Sequence, residues 1–157
     1  MSREIERKFL VTSYIFKKKA VRETRIKQGY LSSVPERTVR VRVKGSSGFL
    51  TVKGIGNESG VSRYEWEIEI PLADAEQLLN ICEPGVIDKT RFQVKAKPHY
   101  MFEVDEFHGE NQGLVIAEIE LEAENDYFES PQWLGAEVTG DQKYYNAMLI
   151  KKPFSKW

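Results

Sequence analysis

Residues 37–44 read RTVRVRVK, and residues 62–70 read SRYEWEIEI. Charged and apolar side chains alternate in both segments, which is the period of a β-strand with one ionic face and one apolar face. The repeated charges are basic in the first segment and acidic in the second, at Arg40, Arg42 and Lys44 and at Glu65, Glu67 and Glu69. Each strand therefore carries a charged face dominated by one sign.

The same alternation recurs along most of the chain, between short clusters of Gly, Pro, Ser and Asn that are typical of turns. It predicts eight strands, at about residues 3–11, 24–32, 37–44, 49–54, 62–70, 86–95, 100–107 and 114–122. The connections are short, which favours antiparallel neighbours. Helical spacing follows Pro71, at residues 72–79, and is found again at residues 143–151.

Composition limits the fold and the partners. The chain has 157 residues, 41% of them hydrophobic, which is enough for one core and predicts a single domain over residues 1–157. A formal net charge of −1 gives no general attraction for nucleic acid or anionic membranes, so neither is expected as a partner. Because Cys82 is the lone cysteine and no long apolar segment is present, we expect a cytoplasmic protein.

Charges of one sign are grouped strand by strand. Further acidic sets are Glu4/Glu6, Glu103/Asp105 and Glu118/Glu120/Glu122, and a further basic set is Lys89/Arg91. An ordinary sheet with its charged face in water would explain any single set. Like charges directly opposite one another repel, however, so their segregation needs a reason. It favours a mainly β fold, an eight-stranded antiparallel closed β-barrel with a few accessory helices, whose ionic face points inward.

The charged groups indicate a polyanion and a hard cation. Carboxylates without paired His or Cys are typical ligands of Mg²⁺ or Mn²⁺, and several converging Arg and Lys side chains suit several phosphoryl groups. The sequence contains none of the motifs of phosphate-binding glycine loops, zinc proteases or serine hydrolases. His99 and His108 follow the pattern of surface residues.

The first strand begins with Glu4-Ile5-Glu6-Arg7-Lys8, an E-x-E-x-K pattern that resembles the start of a CYTH domain, the domain of the triphosphate tunnel metalloenzymes. The resemblance continues in order along nearly the whole chain, through Gln28-Gly29-Tyr30, Arg40-x-Arg42, Lys53, Glu65-x-Glu67, Lys89-x-Arg91, Glu103-x-Asp105 and Glu118-x-Glu120. It implies an eight-stranded tunnel, a substrate that contains a triphosphate, and Mg²⁺ or Mn²⁺ as cofactor.

The resemblance also implies roles for the charged residues. Phosphate contacts would come from the basic side chains Lys8, Arg40, Arg42, Lys53, Lys89, Arg91 and Lys143. Metal ligands would come mainly from Glu4, Glu6, Glu118 and Glu120, with Glu103 and Asp105 as further candidates. Glu65 and Glu67 would be supporting acids. The sequence does not separate whether the secondary acids hold a second metal ion, orient water or restrain the basic side chains.

The segment around Tyr30 resembles the short bacterial family members that act on inorganic tripolyphosphate. There a tyrosine paired with a lysine has been proposed as the proton acceptor, and here the partner would be Lys89 or Lys8. A nearby ammonium would lower the pKa of the tyrosine. Alternatively, Tyr30 only donates a hydrogen bond to phosphate or packs in the tunnel wall. Its neighbours are Gly29 and Leu31, whereas related cyclases tend to have an acidic residue there.

These observations predict a metal-dependent hydrolase that converts tripolyphosphate into pyrophosphate and phosphate. The alternatives are a nucleoside or thiamine triphosphatase, a class IV-type adenylyl cyclase, and a non-catalytic polyphosphate-binding module. A base or thiazole would need an apolar pocket at one tunnel mouth, for which Trp66, Tyr100 and Trp133 are the candidates. The sequence leaves a homodimer open.

Overall fold

The computed structural model describes residues 3–157, and this part of the chain contains nine β-strands and three short α-helices. The strands are β1 (Arg3–Val11), β2 (Ala20–Val34), β3 (Arg37–Lys44), β4 (Ser47–Gly54), β5 (Ser62–Ile70), β6 (Ile87–Ala96), β7 (Tyr100–Phe107), β8 (Val115–Glu120) and β9 (Leu134–Glu137). The helices are α1 (Phe16–Lys19), α2 (Leu72–Leu79) and α3 (Asn146–Leu149). None of these helices has the length and apolar character needed to cross a membrane.

Eight of the strands form a closed antiparallel barrel. Their order is β5-β4-β3-β2-β6-β7-β8-β1, and β5 pairs with β1 to close the sheet. The predicted eight-stranded closed β-barrel is therefore confirmed. The ninth strand, β9, was not predicted; it pairs with the end of β1, where β1 has left β5.

The predicted strand boundaries agree with the structure to within a few residues, and α2 covers the predicted residues 72–79. The helix predicted at residues 143–151 is wrong. A 3-10 turn at Gln142–Tyr144 is followed by α3, and between them Tyr145 has an extended conformation, with φ −70° and ψ 135°. An extended residue interrupts the helical hydrogen bonds, so the side chains at this break point into the barrel rather than along one helix face.

The main hydrophobic core lies outside the barrel, on the outer faces of β1, β6, β7 and β8. There α1 and the segment 121–134 cover the apolar side chains that alternate with the charged ones. Phe102 of β7 is fully buried, with its ring centroid 5.2 Å from that of Trp133 and 5.7 Å from that of Phe128. Burying these aromatic rings supplies much of the hydrophobic stabilisation of the fold.

A second apolar cluster fills one end of the barrel interior. Ile87, Phe107 and Ile116 each lie two positions from a charged residue of the interior, so their side chains point the same way. Leu149 of α3 packs against them, and all four side chains are essentially inaccessible. The charged cavity therefore ends on an apolar floor.

Candidate active site

A cavity inside the barrel is lined by side chains of opposite charge. It is bordered by Glu6, Lys8, Tyr30, Thr38, Arg40, Thr51, Lys53, Arg63, Lys89, Arg91, Glu118, Tyr145, Asn146 and Ala147. Six of these residues are cations, contributed by β1, β3, β4, β5 and β6. The alternation of each strand brings them together, because inward positions recur at every second residue.

Asp105 holds two of the cations in place. Its carboxylate accepts two hydrogen bonds from Arg91, at 2.7 and 2.8 Å, and lies 2.7 Å from Lys89 Nζ. Burial alone would raise the pKa of Asp105, but the two cations outweigh burial and hold its pKa well below the usual range. Both oxygens of Asp105 are therefore engaged by basic side chains. This geometry fits the restraint of those side chains better than the binding of a second metal ion or the orientation of water.

Glu67 restrains the two arginines of β3 in a similar way. One of its oxygens lies 2.6 Å from Thr51 Oγ1, 3.5 Å from Arg40 Nη2 and 3.4 Å from Arg42 Nη2. Burial first, and then Arg40 and Arg91, lower the pKa of Arg42 to about 9. A guanidinium stays protonated at neutral pH, so Arg42 is a buried cation close to two other cations.

The remaining cations face acids of β1, β5 and β8. Lys53 Nζ lies 2.7 Å from Glu4 and 3.7 Å from Glu65, whereas Lys8 Nζ lies 3.9 Å from Glu118. Arg63 was not predicted as a site residue, although its side chain lines the cavity and its Nε is 3.9 Å from Glu4. The strand period alone could have identified Arg63, because it lies two positions before Glu65 and therefore on the same strand face.

Carboxylates are crowded on the acidic side of the barrel. Glu6 is directly opposite Glu120, and Glu118 is directly opposite Glu103, in the pairing of neighbouring strands. Burial first, and then Glu6, raise the pKa of Glu118. Like charges held this close repel, and a divalent cation between their oxygens would relieve the repulsion.

This donor set fits a hard cation that is only partly coordinated by protein. Within residues 3–157, no three His, Cys, Asp or Glu side chains are arranged to hold a metal ion by themselves. Mg²⁺ commonly binds one or two carboxylates, substrate phosphates and water rather than a complete protein cage. Glu6 and Glu118, which both line the cavity, provide oxygen ligands of this kind.

Tyr30 lies in the cavity wall and is nearly inaccessible. Burial raises its pKa, and Arg40, Arg63 and Lys8 reduce this shift without reversing it. The predicted lowering of the pKa of Tyr30 is therefore wrong, because loss of solvent around the phenolate outweighs the attraction of the cations. The hydroxyl remains protonated at neutral pH and is a hydrogen-bond donor.

The segment from the 3-10 turn to α3 completes the cavity. Lys8 Nζ lies 4.9 Å and the Arg63 guanidinium carbon 5.6 Å from the centre of the Tyr145 ring. Lys143 does not reach the cavity; its Nζ lies 4.2 Å from the Trp157 ring on the outside. The sequence pattern did not indicate Tyr145 and Asn146 as site residues, because it predicts a continuous helix there.

The three aromatic residues that were candidates for an apolar pocket do not line the cavity. Trp66 is 44% exposed, and Trp133 belongs to the core outside the barrel. Tyr100 donates its hydroxyl hydrogen to Asp126 in the segment after β8. These three aromatic residues therefore form no pocket at the cavity.

A closed antiparallel barrel with an interior of opposed basic and acidic strands defines a class of proteins built to enclose a small polyanion. The chain belongs to the CYTH domain family, whose domain is matched over residues 2–147. The resemblance stated from the sequence is thus confirmed.

Two relatives and one solved structure are similar over almost their whole lengths. A protein from Acetivibrio thermocellus named inorganic triphosphatase is 46% identical over 158 residues, covering 100% of this chain and 99% of the relative. One of the same name from Nitrosomonas europaea is 36% identical over 149 residues, covering 93% and 95%. The crystal structure of the inorganic triphosphatase NE1496 has a TM-score of 0.67 at 34% identity, covering 96% of this chain and 95% of that one.

Proposed function

We propose that this protein is a divalent-metal-dependent triphosphatase that hydrolyses inorganic tripolyphosphate to pyrophosphate and phosphate. The observation that carries the proposal is the barrel interior, in which six cations face crowded carboxylates. Two relatives that carry the name inorganic triphosphatase support it. The same charges suit a triphosphate, since its phosphoryl oxygens would bind both to the basic side chains and to a divalent metal ion.

The basic side chains would bind the phosphoryl oxygens. Arg91 and Lys89 are held by Asp105, and Arg40 is held by Glu67, so each cation is already oriented before substrate enters. Lys8, Arg42 and Lys53 are the other predicted phosphate-binding residues that we retain; Arg63 is added and Lys143 is left out. Arg42 lies beside Arg40 behind the cavity lining, and both contact the same oxygen of Glu67.

Mg²⁺ or Mn²⁺ would be held by Glu6 and Glu118 together with substrate oxygens and water, with Glu4, Glu103 and Glu120 beside them. When bound, the ion polarises phosphoryl oxygens and lowers the pKa of coordinated water. The reaction forms a bond from water oxygen to the terminal phosphorus and breaks the adjacent anhydride bond, with pyrophosphate as leaving group. Because burial keeps the pKa of Tyr30 raised, the water proton would pass to a carboxylate of the acidic side rather than to Tyr30.

The choice of inorganic substrate rests on what lines the cavity. Of its fourteen lining residues, two are aromatic, Tyr30 and Tyr145, and both contact cations or polar groups. Trp66, Tyr100 and Trp133 do not supply a site for a base or thiazole. A nucleoside or thiamine triphosphatase and an adenylyl cyclase remain the rival enzymes.

The decisive experiment compares product release from tripolyphosphate, ATP and thiamine triphosphate with Mg²⁺, with Mn²⁺ and with excess chelator. We expect metal-dependent phosphate release that is fastest from tripolyphosphate. Cyclic AMP from ATP would instead show a cyclase, and tight retention of tripolyphosphate without turnover would show a non-catalytic binding module.

Removal of one acidic ligand tests the metal role. Glu6→Gln and Glu118→Gln keep the side-chain shape but remove the anionic oxygens, so turnover should fall by about 10- to 100-fold or more. The exposed Glu110→Gln variant is the matched control and should keep wild-type turnover. Full activity of both cavity variants, or of the wild-type protein in chelator, would show that the mechanism needs no metal.

We further propose that residues 1–157 act as one domain in the cytoplasm, and we keep a homodimer as an open prediction. Light scattering of the purified protein measures the oligomeric state directly.

A further inference from the structure

Four polar side chains form a hydrogen-bonded chain behind the cavity. Lys89 Nζ donates to Asn146 Oδ1 at 2.9 Å, and Gln28 Nε2 donates to the same oxygen at 3.1 Å. Gln28 Nε2 also donates to the hydroxyl oxygen of Tyr30 at 3.3 Å. The chain thus connects Tyr30 with Lys89, one of the two lysines that the family resemblance offered as its partner.

The ammonium group sets the direction of every bond in this chain. Lys89 has only donors, so the Asn146 atom that faces it is the carbonyl oxygen. An oxygen that already accepts from Lys89 can face only a donor of Gln28, which fixes the orientation of the Gln28 amide. The second hydrogen of the same Gln28 nitrogen then points at the oxygen of Tyr30.

This orientation of the Gln28 amide leaves its carbonyl oxygen without a hydrogen bond to any residue that the structure describes. Gln28 is completely buried, and its carbonyl oxygen has no hydrogen-bond partner within residues 3–157. Reversing the amide would bring that oxygen against Asn146 Oδ1, with two acceptors facing each other. The donor orientation is therefore retained although it leaves a buried carbonyl unsatisfied.

We propose that Asn146 and Gln28 are positioning residues that keep the Tyr30 hydroxyl hydrogen directed into the cavity, where it donates to a phosphate oxygen of the substrate. The Tyr30 oxygen accepts from Gln28 on one side, so its own hydrogen is left for the other side, toward the cavity that Tyr30 lines. Asn146 also holds the ammonium of Lys89 beside Asp105. This inference rests on the proposed function, because it takes a phosphate-containing substrate as given.

A double-mutant cycle between residues 28 and 30 tests the relay. Gln28→Met keeps the length of the side chain and removes its hydrogen bonds, and Tyr30→Phe removes the hydroxyl. We expect each single variant to lower kcat/KM about tenfold, chiefly through weaker binding of tripolyphosphate, and the double variant to be no worse than Tyr30→Phe alone. Asn146→Ala should lower kcat/KM further than Gln28→Met, since it releases Lys89 as well.

Gln112→Met is the matched control, because Gln112 is exposed and lies outside the cavity. Thermal melts of all variants establish that they fold. Calorimetry of inorganic tripolyphosphate binding in chelator measures the same double-mutant cycle. This measurement needs no turnover. If the wild-type protein binds but hydrolyses nothing, the proposed function fails while the binding cycle still tests the relay.

Additive effects of Gln28→Met and Tyr30→Phe in both cycles would overturn the inference, because independent residues do not share one hydrogen bond. A Gln28→Met variant with wild-type kinetics and binding would overturn it as well.

Discussion

Single residues of the same type have different tasks in this barrel. Asp105 and Glu118 are both inward acids of an alternating pair, yet Asp105 is enclosed by Arg91 and Lys89 whereas Glu118 lies among other carboxylates. The pKa of the first is lowered and that of the second is raised. Opposite shifts on neighbouring strands distinguish a carboxylate that cations neutralise from one whose charged form is disfavoured by burial and by other carboxylates.

Lys89 gives the binding of tripolyphosphate a distinct pH dependence. Burial first, despite the attraction of Asp105, lowers the pKa of Lys89 to about 8. Below that pH the ammonium is charged and attracts phosphate, and above it the charge and its attraction are lost. The affinity advantage of wild type over Lys89→Met should therefore be full below about pH 7 and disappear above about pH 9.

Calorimetry in chelator across this pH range measures the effect, and the comparison with Lys89→Met cancels the titration of tripolyphosphate itself. A constant difference between the two proteins up to pH 10 would contradict the lowered pKa.

Arg63 and Lys143 form a natural pair of test residues. Arg63 lines the cavity, whereas Lys143 lies against Trp157 outside it. Arg63→Ala should weaken tripolyphosphate binding by about tenfold, since a charge-assisted hydrogen bond contributes about 1.5–3 kcal/mol. Lys143→Ala should bind as wild type does. If Lys143→Ala weakened binding more than Arg63→Ala did, Lys143 would contact phosphate, as the family resemblance implied.

At the scale of elements, the cavity depends on how the C-terminal segment meets the loop between β4 and β5. Gly60 and Gly140 both have positive φ, 75° and 80°, and a Cβ on Gly60 would lie 2.5 Å from the Gly140 Cα. Backbone approach this close is open only to glycine. The contact lies beside Lys8, Arg63 and Tyr145, which also line the cavity.

Replacement of Gly60 should therefore disturb this contact specifically. Gly60→Ala adds a clash with Gly140 to the cost of positive φ, and we expect a loss of about 1–3 kcal/mol in the free energy of unfolding together with weaker tripolyphosphate binding. Gly45→Ala is the matched control, because Gly45 has φ 60° with nothing within 4 Å of a Cβ. Equal stability and equal binding of the two variants would show that the contact does not support the site.

At the scale of the whole molecule, the barrel holds like charges close together that a ligand would neutralise. Arg42 and Glu118 both have pKa values shifted against their charged forms, with burial as the first cause. Tripolyphosphate at a hundredfold excess over Kd should add about 2.7 kcal/mol to the free energy of unfolding, which raises Tm by about 5–10 °C.

Thermal melts with tripolyphosphate, orthophosphate and sulfate at matched ionic strength measure this stabilisation. A general effect of salt would raise Tm equally for all three anions, and that outcome would contradict selective binding of a triphosphate.

The sequence by itself determined the strands and the direction of their side chains. An alternating segment such as residues 37–44 has one dominant period, so Arg40 and Arg42 must share a face, and the segregation of charge between strands pointed to a closed barrel with that face inside. Family resemblance along nearly the whole chain supported the same arrangement and was confirmed.

Only the tertiary structure decided which charged groups meet. Asp105 and Glu118 belong to similar alternating patterns, but Asp105 meets Arg91 and Lys89 of the preceding strand, whereas Glu118 meets Glu103 of β7 and Lys8 of the distant β1. Asn146 enters the cavity because the extended Tyr145 interrupts the C-terminal helix, and Lys143 is left outside for the same reason. Strand period is a local property of the chain, whereas burial and partner choice depend on contacts between distant segments, and these contacts set the charge and the direction of each functional group.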